Sequence, residues 1–170
     1  MNLLTLYGED HTQQYRQVIN GLIRKQHERK PLAYLALEEL GPYSYFTKEE
    51  KIDAIKREDY SVGPQGLELA IELGIPAIGI DLWGVDIYKE DKFDSNDFAI
   101  DVTRSFKLRE GNMLNVLKRY HRQGNGAAIV GDTHLRKTKT KQLGQSSPLY
   151  IHFNGLRGVE IVRCPNRELD

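Results

Sequence analysis

At 170 residues, with 39% hydrophobic and 28% charged side chains, the chain has the size and composition of one soluble globular domain, long enough for a real core and too short for two comfortable ones. Its 24 basic residues balance 24 acidic ones, so nothing in the total charge points to nucleic acid or an anionic membrane surface. No apolar run approaches the roughly 20 residues of a membrane helix, no secretory leader is expected, since Met1-Asn2 runs straight into an apolar strand, and the single cysteine, Cys164, excludes an internal disulfide and a thiolate cluster. A cytoplasmic protein is expected.

Strand-like and helix-like segments alternate along the chain. Leu3-Leu4-Thr5-Leu6-Tyr7 reads as a buried strand that stops at Gly8 and then presents Glu9, Asp10 and His11. Residues 12–29 follow as an amphipathic helix with Tyr15, Val18, Ile19, Leu22 and Ile23 on its apolar face, capped by Thr12 and ended at Lys30-Pro31. Residues 32–37 form a second strand running into Glu38-Glu39, and period-two alternation allows only one of those carboxylates to reach a common site. Residues 41–45 read as a turn.

Thr47-Lys48-Glu49-Glu50 matches a capping box and opens a polar outer helix over residues 47–58. A short helix over 66–73 closes at Gly74, where a left-handed residue belongs, and a third strand over 75–80 delivers Asp81. Residues 85–101 are acidic and irregular, without the register of a calcium loop. A further helix over 107–122 carries Met113, Leu117 and Tyr120 on one face. Arg109 then falls near its start, where a cation opposes the macrodipole and calls for a carboxylate or anionic ligand in front of it.

A fourth strand over 127–130 ends at Gly131-Asp132-Thr133-His134, the second Gly-x-x-His of the chain. The run Arg136-Lys137-Thr138-Lys139-Thr140-Lys141 reads as a basic loop or as a mobile lid for an anionic substrate. Residues 150–153 and 158–163 read as two short strands joined at Asn154-Gly155 into a hairpin. The fold class expected is therefore α/β: one domain over residues 1–170, a largely parallel sheet with helices on both faces, and a C-terminal antiparallel edge hairpin.

In such a sheet, ligands bind beyond the carboxyl ends of the strands. Parallel strands would bring Glu9, His11, Glu38, Glu39, Asp81, Asp132 and His134 to one rim, with Arg109 from a helix. His11, His134 and Glu38 together could hold a divalent metal such as Mn, Co or Zn, whose bound water becomes a nucleophile near neutral pH. Without metal, a histidine paired with a carboxylate can take a proton from water while Arg109 stabilises an oxyanion. Both routes lead to hydrolysis. The bland alternative is that Glu9 and Arg109 merely pair and the histidines satisfy backbone carbonyls.

Gly8-Glu9-Asp10-His11 with the helix after it, the strand ending in Glu38, the Arg109-Glu110-Gly111-Asn112-Met113-Leu114-Asn115 stretch and Gly131-Asp132-Thr133-His134 together resemble the erythromycin esterase and ChaN-like superfamily, which includes the TraB/TIKI proteins. Order and motifs both match, over most of residues 3–134. The resemblance implies one active-site crevice built from Glu9, His11, Glu38, Arg109 and His134, with Met113 and Asn115 as structural companions. Its esterase branch implies water activated by histidine, its TIKI branch metal-dependent peptide hydrolysis, and its ChaN branch haem or iron binding.

The leading expectation is a hydrolase of a small ester, amide, phosphoester or peptide, with Glu39, Asp81, Asp132 and Arg136 in support. The alternatives are a non-catalytic protein that binds haem, a metal or a small anion in the same crevice, and an interaction module. A homo-oligomer could supply a missing wall of the pocket.

Overall fold

Six strands form one mixed sheet in the order β3-β4-β2-β5-β1-β6, where β1 is Leu4–Glu9, β2 Tyr34–Leu37, β3 Ser44–Tyr45, β4 Ala77–Gly79, β5 Gly126–Gly131 and β6 Val159–Val162. All neighbours pair in parallel except the short edge strand β3, which runs antiparallel to β4. The computed structural model describes residues 1–82, 102–139, 143 and 146–164. The acidic stretch expected over 85–101 lies outside them, as do residues 140–142 of the basic loop. Among the described residues, no helix is long and apolar enough to cross a membrane.

Strand periodicity decides what each face carries. From β1, Leu4 and Leu6 point to one face, where α4 (Val102–His121) and α5 (Pro148–Phe153) bury them with Met113, Leu117, Leu149 and Phe153. Tyr7 points to the other, where α1 (Gln13–Arg29), α2 (Lys48–Lys56) and α3 (Gln65–Glu72) cover it together with Leu35, Leu37, Ala127 and Ile129. Both faces of the central strands are therefore dry, as a parallel sheet requires.

The capping box at Thr47 and Glu50 is present, and Gly74 takes a φ of 66° after α3. Two elements differ from expectation. Residues 148–153 are helical because Ser147 caps them through Leu149 N at 3.1 Å and Pro148 occupies the first turn, where its missing N–H costs nothing. With α5 as a crossover, β6 pairs in parallel with β1, so no antiparallel hairpin forms at the C-terminal edge. The antiparallel strand lies at the opposite edge, at Ser44–Tyr45, where a turn was expected.

The buried stripe of α1 also differs. Ile19 and Ile23 are buried as expected, yet Val18 and Leu22 stand 53% and 40% exposed, and the inward positions next to the isoleucines belong to Arg16 and Asn20. A polar pair thus sits on a face that periodicity alone assigns to apolar residues.

Candidate functional site

The two Gly-x-x-His segments lie side by side, because Gly8 pairs with Val130 and Glu9 with Gly131 in the β1–β5 ladder. Each glycine makes room for the other segment's polar group. A Cβ on Gly8 would overlap Asp132 Oδ1, and one on Gly131 would stand 3.2 Å from His11 Nε2 and 3.4 Å from Glu38 Oε2. Gly8→Ala is accordingly expected to destabilise the fold by about 1–3 kcal/mol, the usual cost of overpacking, measured as a lowered urea midpoint. A midpoint equal to that of the unaltered chain would show that Asp132 can move aside.

Alternation sends the strand-end carboxylates to different helices. Glu9 continues the Tyr7 face of β1 and meets Arg16 on α1, with Arg16 Nε 2.6 Å from Glu9 Oε2 and Arg16 Nη2 on Oε1. Glu39, in the 3-10 turn Glu38–Leu40, continues the Leu35 and Leu37 face and stands 2.8 Å from the same Nη2. Glu38 faces the other way, toward α4. Its Oε1 lies 2.9 Å from Arg109 Nη2 and 3.2 Å from His134 Nε2, and its Oε2 accepts from Gly131 N. Asp81 holds Arg109 from β4 with a fork at 2.6–3.0 Å and is fully buried.

The second histidine is enclosed. His134 is 3% exposed, with Nδ1 3.1 Å from Glu110 Oε1 and its ring stacked on Phe106 at a centroid distance of 4.9 Å. Burial alone would lower its pKa, but Glu38 and Glu110 on either side outweigh it and raise it to about 9. Burial likewise opposes ionisation of Glu38, yet His134, Arg109 and the Gly131 amide hold it down at about 2.

Linkage fixes the sign of the stability effect. The depressed Glu38 adds stability above the ordinary value of 4.5 that is lost as pH falls toward 2; the raised His134 adds stability below 6.5 that is lost as pH rises through 9. Denaturation midpoints are expected to be highest between pH 4.5 and 6.5 and to fall on both sides. His134→Gln should flatten the alkaline limb, and an alkaline limb unchanged in that variant would remove His134 as its cause.

The first histidine is open. His11 follows β1 with a φ of 62°, an uncommon conformation for a non-glycine residue, and its side chain is 46% exposed. Its Nδ1 lies 3.3 Å from Glu9 Oε1. The bond to Glu9 raises the His11 pKa above its usual range against the effect of burial. Burial favours the neutral form of Glu9, but His11 and Arg16 outweigh it and hold the carboxyl below its usual value. For Glu39, burial prevails and its pKa is raised despite Arg16. Asp10 Oδ1 accepts from Thr12 N and Oγ1 at 3.0 and 2.7 Å, and Thr12 caps α1, so the backbone on the far side of His11 is pinned as well.

Several expected site residues take other places. Arg136 is no part of an exposed lid: it is 2% exposed and forks onto the buried Glu110, while residues 137–139 are exposed. Asp132 turns away from the histidines to Arg163, at 2.8 and 2.6 Å, and to Cys164 N. Arg109 lies well inside α4, which begins at Val102, so carboxylates meet it for a reason other than a helix start. Asn112, not the exposed Asn115, ties α4 to the sheet, through Ile80 O at 2.8 Å, beside the buried Met113.

Both ring nitrogens of His134 face carboxylates, Nδ1 toward Glu110 and Nε2 toward Glu38. Among the described residues, no group of three His, Cys, Asp or Glu is placed to hold a metal ion.

Arg16, Glu110 and Phe106 complete the surroundings of the two histidines without having been singled out in the sequence. A signal for Glu110 existed, since it follows Arg109 directly in the motif that identified that residue.

No family model matches this chain, and no curated protein matches it. Among solved structures, one described as "Bacterial protein toxins" is similar at 10% identity over 88% of this chain, with a TM-score of 0.48. Another, described as "Crystal structure of bacterial protein toxins", is similar at 13% identity over the same share, also with a TM-score of 0.48. This chain spans 32% and 31% of their lengths. Likeness at that level carries no argument about activity.

Proposed function

We propose that this chain is a hydrolase of a small ester, amide or phosphoester, with His11 as the base that activates water. The observation that carries this reading is the His11–Glu9 pair: a half-exposed imidazole in a strained backbone conformation, its Nδ1 held by a buried carboxylate at 3.3 Å. Strained residues cluster where function needs them. The resemblance to the erythromycin esterase and ChaN-like superfamily supports the same reading, and membership in it is part of the proposal.

With Nδ1–H donating to Glu9, neutral His11 presents Nε2 as the acceptor. Water oxygen forms a bond to the carbonyl carbon as its proton passes to Nε2, and the carbonyl electron pair moves onto oxygen. Arg109, reaching the rim from α4 with a side chain 19% exposed, supplies the cation that meets this oxyanion. Collapse expels the leaving group, which takes the proton back from His11. Glu38 and Asp81 hold Arg109 in place, and no step requires a metal.

The test is a panel of ester, amide and phosphoester substrates with the unaltered chain, His11→Asn and Arg109→Gln, each with and without chelator. Turnover that survives chelation and is lost in both variants is the expected result. No turnover on any substrate, or full turnover in His11→Asn, rejects the reading. Because the base must be neutral, kcat/KM should rise with pH on a limb above 6.5, the ordinary histidine value, in keeping with the raised His11 pKa. Glu9→Gln, which removes the raising partner, should move that limb down; a limb that stays put would detach it from His11.

A further inference from the structure

Arg16 has no part in the chemistry just described, yet it is among the most enclosed cations of the described residues, at 3% exposure. It sits on the first full turn of α1 and grips Glu9 with two nitrogens, Nε on Oε2 at 2.6 Å and Nη2 on Oε1. The same Nη2 lies 2.8 Å from Glu39 Oε2, and Glu39 is packed so closely under α3 that a Cβ on Gly66 would overlap its Oε1. Three elements therefore fix one guanidinium, and the guanidinium fixes one carboxylate. The oxygen it shares, Glu9 Oε1, is the one that meets His11 Nδ1.

We infer that Arg16 is a positioning residue that sets the tautomer of His11: by keeping Glu9 ionised and its plane fixed, it makes Glu9 an acceptor for Nδ1–H and leaves Nε2 as the proton acceptor. The alternative state follows from elementary chemistry. A carboxylate buried without its cation takes up a proton. A neutral Glu9 would donate its O–H to Nδ1, and the imidazole hydrogen would then sit on Nε2, the atom that must receive the proton from water. Loss of Arg16 thus disables the base without touching it. This inference rests on the proposed role of His11 as base, but the tautomer can be read without any turnover.

The experiment is long-range ¹H–¹⁵N NMR of histidine-labelled full chain, followed through the His11 titration of each variant and compared at the pH of the assay, with His11→Asn used to assign the His11 signal. The unaltered chain should show His11 protonated on Nδ1. Arg16→Gln should show a majority protonated on Nε2, with kcat/KM on the panel substrate reduced about 10–100-fold, the range typical when the partner that orients a functional histidine is lost. Arg16→Lys, which keeps the charge but lacks the planar fork, should recover part of both.

Should Arg16→Gln fail to fold, Arg16→Gln/Glu39→Gln removes a cation and an anion together and should show the same tautomer change. His11 protonated on Nε2 in the unaltered chain, or a His11 tautomer that is the same in every folded Arg16 variant, overturns the inference. A tautomer change in a chain that hydrolyses nothing upholds Arg16 and defeats only the hydrolase reading; turnover lost in His11→Asn beside an unchanged tautomer defeats only Arg16.

Discussion

Arg136→Met is expected to cost the fold about 3–5 kcal/mol, the usual consequence of removing one partner of a buried ion pair. Glu110 is fully buried on α4, and Arg136 reaches it from just after the 3-10 turn Asp132–Leu135, with Nη2 3.0 Å from Oε2 and Nη1 on Oε1. Nη1 also donates to Thr133 O at 3.0 Å. Without the guanidinium, Glu110 keeps His134 as its remaining charged partner in a fully buried site.

For a chain of this length, each kcal/mol moves Tm by about 2–4 °C, so a fall of roughly 6–20 °C should be read by calorimetry. Arg136→Lys should recover little, because an ammonium cannot make the two-pronged contact. Arg136→Met/Glu110→Leu removes both charges and should be less costly than Arg136→Met alone. A single variant within 1 kcal/mol of the unaltered chain would mean that Glu110 is content with His134.

Most of the fold was legible because its evidence is local. Apolar runs ending at Gly8, Glu38, Asp81 and Gly131 gave four parallel strands, and Thr47, Glu50 and Gly74 marked helix ends by their own chemistry. The C-terminal segment was misread because Tyr150-Ile151-His152-Phe153 is rich in strand formers, while the deciding residues, Ser147 and Pro148, lie just before it. Propensity lost to a cap.

The site was legible in its strand-end residues and not in its helical ones. Glu9, His11, Glu38 and His134 sit at breaks in an apolar pattern, where a polar residue is conspicuous. Arg16 occupies a helix amid many other polar residues, and only the packing of α1 reveals that it points inward. Arg136 was expected in support of the site, but as the first cation of a solvated loop; its burial against Glu110 is what the sequence does not show. Alternation puts Glu38 and Glu39 on opposite faces without saying which one meets His134, and it leaves unsaid that each carboxylate would find its own arginine, one on α4 and one on α1.

His11→Asn is expected to lower kcat/KM by about 10²–10⁴, the contribution typical of a positioned general base, while leaving the fold as stable as before. Asparagine is the informative replacement here. At a φ of 62°, alanine would add backbone strain of its own, whereas asparagine visits the left-handed region routinely. The imidazole is 46% exposed and sits outside both core clusters, so its removal leaves no cavity. Glu9 loses one partner but keeps the Arg16 fork, and so stays ionised.

A residue that adds this much to rate and this little to stability, while holding an unfavourable conformation, would be hard to explain as structure. The variant should be assayed for turnover and urea midpoint on one preparation. A midpoint within 1 kcal/mol beside a rate loss of two decades or more assigns His11 to chemistry. A rate within tenfold of the unaltered chain, on a substrate it hydrolyses, would return this imidazole to the surface and leave the enclosed Glu38–His134–Glu110–Arg136 network as a purely structural element of the sheet rim.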